Sequence, residues 1–353
     1  MKLSEFAKEC RDTWKEDRSG VPVVGLEHLE PGEVKLSAWD VDSENTFTKR
    51  FNKGQVLLGR RRVYLRKAVV APFDGICSGD ITVIEAIPGK ILPELLPFVI
   101  QNDAFFDYAE QGSAGSLSPR VKWEHLKDFE VNLPSIDDQK ALAEKLWAAY
   151  RLKESYKKLL AATDEMVKSR FIEMFGNNIQ KRRFGDSAEL LNGRAYNAKE
   201  LLAEGKYVVL RVGNFFSNDK YYYSDLELEA DKYCDTGDLL YSWSATLGAQ
   251  IWKGPKVIYH YHIWKIRFDE SIYNKEFLCY LLNDMTDVLK NDTHGSTMVH
   301  LTKEGMENKM FVAPPMSLQL NFVSILNQAD KSGFELRKSI ESIDAVIKSL
   351  INN

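Results

Sequence analysis

The chain has 353 residues, 44% hydrophobic and 28% charged, with a formal net charge of −4. That length suits two domains of ordinary size plus helices, each half long enough to bury its own core. The slight acidity excludes a histone-like or tail-driven nucleic-acid binder, while leaving room for a local basic patch.

From the N-terminus, short β-like runs at 21–26, 55–58, 68–71 and 81–84 are bounded by Gly, Pro or Asp. Between the second and third lies Arg60-Arg61-Arg62-Val63-Tyr64-Leu65-Arg66-Lys67, five cations without an acid, expected on an exposed loop or hairpin. A helix is expected over 93–111, from apolar Leu95, Leu96, Val99, Phe105, Phe106 and Tyr108. The turn Gly112-Ser113 follows, then Leu133-Pro134-Ser135, with Ser135 and Asp138 placed to cap a long helix. In that helix Ala149, Leu152, Tyr156, Leu159, Thr163 and Met166 repeat at coiled-coil spacing. At ~1.5 Å per residue it would be on the order of 60 Å long.

The second half repeats these landmarks about 180 residues later, a period far above the roughly 20 to 50 residues of solenoid repeats. Gly237 answers Gly54, a helix over 274–291 answers 93–111, and Gly295-Ser296 answers Gly112-Ser113. Pro314-Pro315, Ser317 and Gln319 answer Pro134, Ser135 and Gln139. Strands are expected at 207–212, 239–243, 250–252, 257–261 and 263–268, with Gly254-Pro255 as a hairpin turn. A second seam runs through Leu336, Ile340, Ile343, Ile347 and Leu350, with Phe322, Ile325 and Ala329 ahead of it in register. The pattern predicts an α+β chain in which two similar α/β domains, 1–134 and 179–315, alternate with helices over 135–178 and 316–353. Two seams in one chain suit an antiparallel coiled coil; packing of each helix on its own domain and pairing between molecules are the alternatives.

Motifs for chemistry are missing. There is no GxxxxGK[ST], no GxGxxG, and no (Asn/Asp/Ser)-Pro-Pro-(Tyr/Phe) loop of a base-modifying methyltransferase. Cys10, Cys77, Cys234 and Cys279 form no CxxC, and His260-x-His262 reads as a packed pair rather than a metal site. No catalytic residue and no metal ligand is expected. The N-terminal MKLSEFAKECRDTW carries charges where a signal peptide needs an apolar core. No apolar run approaches the ~18 residues of a membrane span, so the cytoplasm is expected and a membrane is not.

A binder is expected instead, and base-edge readout of a nucleic acid fits its loops. Arginine's planar fork suits phosphate or the guanine edge, so Arg60, Arg61, Arg62, Tyr64, Arg66 and Lys67 are candidate contacts. The matching stretch of the second copy, Tyr241-Ser242-Trp243-Ser244-Ala245-Thr246, has no charge, and Trp243, Ser244 and Thr246 are its candidates. Ser113, Ser116, Ser118 and Arg120 beside the first Gly-Ser turn, and Ser296, Thr297 and His300 beside the second, could approach a sugar–phosphate backbone. Arg194, Tyr196, Arg211, Asn214 and the tyrosines Tyr221, Tyr222 and Tyr223 add donors and flat surfaces, and Lys181-Arg182-Arg183 a backbone contact. Frames alike but loops unlike imply two readers of different targets.

These features resemble the specificity (S) subunit of Type I restriction–modification enzymes over essentially the whole chain. The resemblance rests on Gly112-Ser113, Arg120, Trp123, Leu126, Val131-Asn132-Leu133-Pro134 and Gln139, and on the helix ending Arg170-Phe171 and Met174-Phe175-Gly176. Gly295-Ser296, Leu301-Thr302, Pro314-Pro315 and Gln319 carry it in the second half. Trp123 has no counterpart there, and Val312-Ala313 stands before the prolines in place of Asn-Leu.

Such a subunit is implied to be non-catalytic, with two target-recognition domains separated by two long conserved helices. Each domain would read half of a bipartite asymmetric DNA site in a bacterial defence system, and the helix pair would set the gap. Leu152, Tyr156, Leu159, Met166, Leu336, Ile340, Ile343, Ile347 and Leu350 are the expected pairing residues. Two methylation (M) subunits with S-adenosylmethionine, and restriction (R) subunits with ATP and Mg2+, would supply the chemistry, leaving no cofactor on this chain. The alternatives are the recognition part of a nuclease or fused restriction–methylation enzyme, and a structural coiled-coil homodimer. A chain opening at Met1 with a domain already under way and no catalytic motif is expected to be separate rather than fused.

Overall fold

A computed structural model of the chain describes residues 1–176, 179–216, 218–291 and 301–352. It divides into two compact units, Met1–Leu160 with Phe334–Asn353, and Ala161–Gly333. Each unit holds one copy of the repeat together with part of both long helices.

The first unit has eight strands: β1 (Ala7–Cys10), β2 (Pro22–Val24), β3 (Asp40–Val41), β4 (Lys49–Phe51), β5 (Val56–Gly59), β6 (Ala68–Val70), β7 (Gly75–Cys77) and β8 (Ile81–Ala86). They form two sheets ordered β1-β8-β5-β6 and β3-β2-β7-β4, with β2 and β7 parallel. In the second unit β9 (Lys181–Arg183) precedes β10 (Ala188–Asn192), β11 (Tyr207–Leu210), β12 (Tyr222–Ser224), β13 (Tyr233–Cys234), β14 (Leu239–Ser242), β15 (Gly248–Ile251), β16 (Val257–Tyr259) and β17 (Ile263–Phe268). Its sheets are ordered β10-β17-β14-β15 and β12-β11-β16-β13, again with one parallel pair, β11 with β16. Strand for strand, these two pairs of sheets have the same topology, and the second unit adds β9 paired with residues 310–312.

The apolar run of β5 follows from its position. Val56 and Leu58 enter one core cluster and Leu57 another, so both faces of the strand are buried. β14 does the same, with Leu239 and Tyr241 in one cluster and Leu240 in the next. The turn before each strand uses a glycine in the left-handed region, Gly54 at φ +87° and Gly237 at φ +92°, where a side chain would be strained. Gly54 N–H donates to Ala71 O, and Gly237 N–H to Trp252 O, both at 2.8 Å.

Three local expectations need correction. Residues 93–111 form not one helix but two, Leu96–Ile100 and α1 (Asp103–Gln111), because the Asn102 side chain accepts from Ala104 N–H and starts the second afresh. Gly254-Pro255 joins strands of different sheets and so makes no hairpin. Ser135 caps the helix α2 (Ile136–Phe175), its hydroxyl bonded to Asp138. After α3 (Lys275–Asp284) and β18 (Met310–Val312), the last helix, α4 (Met316–Asn352), starts early enough to put Ser317 inside its first turn.

The long helices pair antiparallel. In the first unit Leu142 and Leu146 of α2 share a cavity lining with Leu350 and Ile351 of α4, whereas Lys153 reaches back to Asp344 at 2.7 Å. In the second unit Phe171 and Phe175 meet Phe322, with ring centroids 5.4 and 5.7 Å apart. On α4, Ile347 is buried, Ile343 and Leu350 pack on the first unit's core, and Leu336 and Ile340 are half-buried.

On α2 the inward stripe is displaced from the expected seam. It runs through Gln139, Ala143, Leu146, Tyr150 and Lys153 in the first unit and Val167, Phe171 and Phe175 in the second. Leu152 (45% exposed), Leu159 (52%) and Met166 (40%) face outward, and Tyr156 is half-buried. A seam sought among apolar residues misses this stripe because two of its members are polar. Gln139 and Lys153 are buried with partners.

Candidate nucleic-acid interface

In the first unit the hairpin β5–β6 ends in the arginine-rich loop. Gly59 N–H donates to Lys67 O at 2.9 Å, Arg60 N–H to Asp80 O at 2.9 Å, and Val121 N–H to Arg60 O at 3.0 Å. Arg62 N–H donates to Pro119 O at 2.8 Å, so the hairpin end and the loop after α1 are laced into one platform. A 3-10 turn, Val63–Leu65, sits between Arg62 and Arg66, both left-handed at φ +52°. Non-glycine residues hold that conformation only where surroundings enforce it, and buried Val63 is the anchor. Tyr64 is 47% exposed at the turn.

The cations divide by commitment. Arg120 grips the Asp80 carboxylate through Nε (2.6 Å) and Nη2 (3.2 Å). Arg61 donates to Ser118 Oγ at 2.6 Å and lies 3.5 Å from the same carboxylate. Hydrogen bonding from Arg120, aided by the charges of Arg61 and Arg60, holds the Asp80 carboxyl below its usual range despite partial burial. Arg66 pairs with Asp103 and Asp107, and Lys67 donates to Leu26 O at 2.8 Å. Among the described residues, exposed Arg62 has no side-chain partner, and Arg60 Nε is buried without one. Arg62 and Arg60 are therefore the cations left to meet an anion.

The Gly-Ser turn is structural. A Cβ on Gly112 would fall 2.0 Å from the ring of His125, which stacks on Tyr108 at 4.2 Å. Ser113 Oγ donates to Ala109 O, closing α1. Beyond it, exposed Ser116 and Leu117 (89% exposed) form the tip of a loop that returns through Ala114 and Arg120.

In the second unit the equivalent hairpin, β14–β15, uses the same main-chain frame. Trp243 N–H donates to His262 O at 3.1 Å, and Leu301 N–H to Trp243 O at 3.1 Å. Trp243 thus occupies the place of Arg60, and His262 that of Asp80. The Trp243 indole stacks on buried Trp264 at 5.6 Å, meets His262 edge-on at 5.1 Å, and donates to Tyr261 O at 2.8 Å. Ser244 is buried, while Ala245, left-handed at φ +62°, and Thr246 are exposed.

Nearby, Arg194 forks onto Glu200 at 3.0 and 2.6 Å and lies over the Tyr196 ring. Tyr196 stacks on His260, whose imidazole is pushed down to about 4, chiefly by burial. His260 and His262 pack with ring centroids 4.9 Å apart. Among the described residues, no cluster of three or more His, Cys, Asp or Glu could hold a metal. Arg211 lies over Tyr222, which with Tyr221 is 41% exposed, whereas Asn214 closes its own loop onto Asn218 O and Lys220 O. Lys181, Arg182 and Arg183 form exposed β9, with Arg183 paired to Asp186. Ser296, Thr297 and His300 lie outside the described residues. Sequence reading missed Asp80 and Glu200; a lone carboxylate distant in sequence gives no sign that it faces an arginine. No helix among the described residues is long and apolar enough to cross a membrane.

Comparison with known proteins agrees with this architecture. Residues 177–343 match the family described as Type I restriction modification DNA specificity domain. The Type I restriction enzyme EcoDI specificity subunit of Escherichia coli is 24% identical over 173 residues, a match covering 47% of this chain and 38% of that relative's length. Two solved structures share the fold over 99% of this chain. One, from work on complex assembly and conformational transition of the type I R-M system, has a TM-score of 0.62 at 16% identity and is covered over 95% of its length. The other, the Type-I restriction-modification system S subunit from M. genitalium, has a TM-score of 0.59 at 15% identity and is covered over 94%. These matches show that residues 177–343 belong to the family described as Type I restriction modification DNA specificity domain, and that the duplicated topology and helix pair of the chain have the fold of the two solved structures.

Proposed function

We propose that this chain is the non-catalytic sequence reader of a Type I restriction–modification complex. Each domain reads one half of a bipartite asymmetric site in double-stranded DNA, and the helix pair sets the gap. The observation that carries this reading is a hairpin held by the same main-chain bonds in both units but bearing Arg60 in one and Trp243 in the other. Two shared main-chain bonds at the hairpin end, carrying different side chains, are what two readers of different sequences need. Exposed apolar side chains on α2 support docking of methylation subunits, likewise part of the proposal: Leu152 and Leu159 in the first unit, Met166 and Ile172 in the second. S-adenosylmethionine, ATP and Mg2+ then belong to the methylation and restriction partners, and the cytoplasm is the site of action.

The test is co-expression with a methylation subunit, purification of the complex and methylome sequencing. A bipartite methylated motif is expected, and replacing Arg60, Arg61 and Arg62 by alanine should alter one half only. No bipartite motif would overturn the proposal. Inserting a heptad at the Ala149 to Met166 stretch should change the gap or abolish binding; an unchanged gap at full affinity would refute the spacer role.

A further inference from the structure

We propose that Asp80 is the positioning residue of the first reading surface: its carboxylate fixes Arg61 and Arg120, which leaves Arg62 at the loop tip, with Arg60 beside it, to meet the DNA. Asp80 closes the turn between β7 and β8, and two arginines from different loops converge on it. The Arg120 fork uses both carboxylate oxygens, and Arg61 is held on its other side by Ser118 Oγ. Asp80 O also accepts from Arg60 N–H, so one residue ties main chain and side chains of the hairpin together. An acid in a surface meant to meet phosphate would lower affinity, and its place at the centre of the platform, between two guanidinium groups, points to geometry. A carboxylate that occupies two guanidinium groups removes two indiscriminate phosphate binders. His262 holds the same main-chain position in the second unit, against Trp243.

This role rests on the DNA-reading function proposed above and predicts opposite signs for two measurements. In full-length D80N the released arginines should bind phosphate. Affinity for duplex DNA of unrelated sequence should therefore rise, with a salt slope steeper by ~0.9 for each added phosphate contact. Base discrimination in the first half-site should fall roughly tenfold or more, the loss expected when a bidentate contact worth ~1–3 kcal/mol is misplaced. General structural damage would instead weaken both kinds of binding and both half-sites.

The experiment selects a randomised duplex library on full-length wild type, D80N and D80E, sequences the bound fraction, and titrates salt on an unrelated duplex. A degraded first half-motif, an intact second half-motif and a steeper salt slope in D80N, with D80E nearer wild type, are expected. An unchanged first half-motif in D80N, or equal loss in both halves, overturns the role of Asp80. A wild-type chain that selects no motif either alone or in complex with a methylation subunit overturns the reading function itself.

Discussion

The hairpins β5–β6 and β14–β15 hang from matching main-chain bonds, yet one ends in guanidinium groups locked by a carboxylate and the other in an indole stacked on a buried tryptophan. The same contrast runs along the helix pair. In the first unit buried Lys153 sits between Glu33 and Asp344, while in the second Phe171, Phe175, Phe277 and Tyr280 surround Phe322. Where the halves agree, the residue serves the frame. Gln139 Oε1 accepts from Leu92 N–H while its amide donates to Lys90 O and Pro134 O. Gln319 repeats this with Asn274, Ile272 and Pro314. Backbone geometry survives duplication because it is indifferent to side chains; the tips are free to diverge.

The strongest test of that equivalence is Gln139→Leu against Gln319→Leu. Each strands buried peptide groups at ~1–3 kcal/mol apiece, so losses of about 3 kcal/mol or more are expected in each unit, followed by hydrogen exchange during denaturant unfolding. A loss confined to one unit would break the comparison. Next come the tips. Arg62→Ala should cost about 1–3 kcal/mol at the first half-site only, and Trp243→Ala should act on the second only, read by binding to half-site variants. Lys153→Met should cost less, about 1–2 kcal/mol. Breaking a buried pair costs more where the other charge is stranded, but Glu33 keeps Lys157 and the Tyr150 hydroxyl. A drop of 4 kcal/mol would show that the ionic packing, like the aromatic one, is irreplaceable.

Duplication, element order and the Ser135 helix start were legible because glycine, proline and capping residues signal locally. Gly54, Gly237, Gln139 and Gln319 kept their spacing. The sites were less so. Nothing local distinguishes Arg62, exposed and unpaired, from Arg66 four residues on, committed to Asp103 and Asp107; the acids lie on a separate helix. The α2 stripe was missed for the same reason, since Gln139 and Lys153 are buried by partners remote in sequence. Polar residues inside a protein are explained by tertiary contacts, which periodicity does not encode.

The smallest expected effect concerns acid. His260 N–H donates to Leu210 O just as Ser78 N–H donates to Val24 O in the first unit, so one frame position carries a titratable ring in one copy only. Burial first, then the charges of His262 and Arg211, hold the imidazole down to about 4, against ~6.5 for an exposed histidine. Between those values the unfolded chain binds a proton that the folded chain does not. Stability is therefore lost as pH falls from about 6.5 toward 4. Partial exposure of the ring keeps the effect below those above. His260→Ser, the first unit's own residue, should flatten the acid limb of the second unit's stability in pH-dependent denaturation and leave the first unit's limb unchanged. If wild type and variant lose stability in parallel, the imidazole is solvated, and the two copies are alike at this position in chemistry as well as in frame.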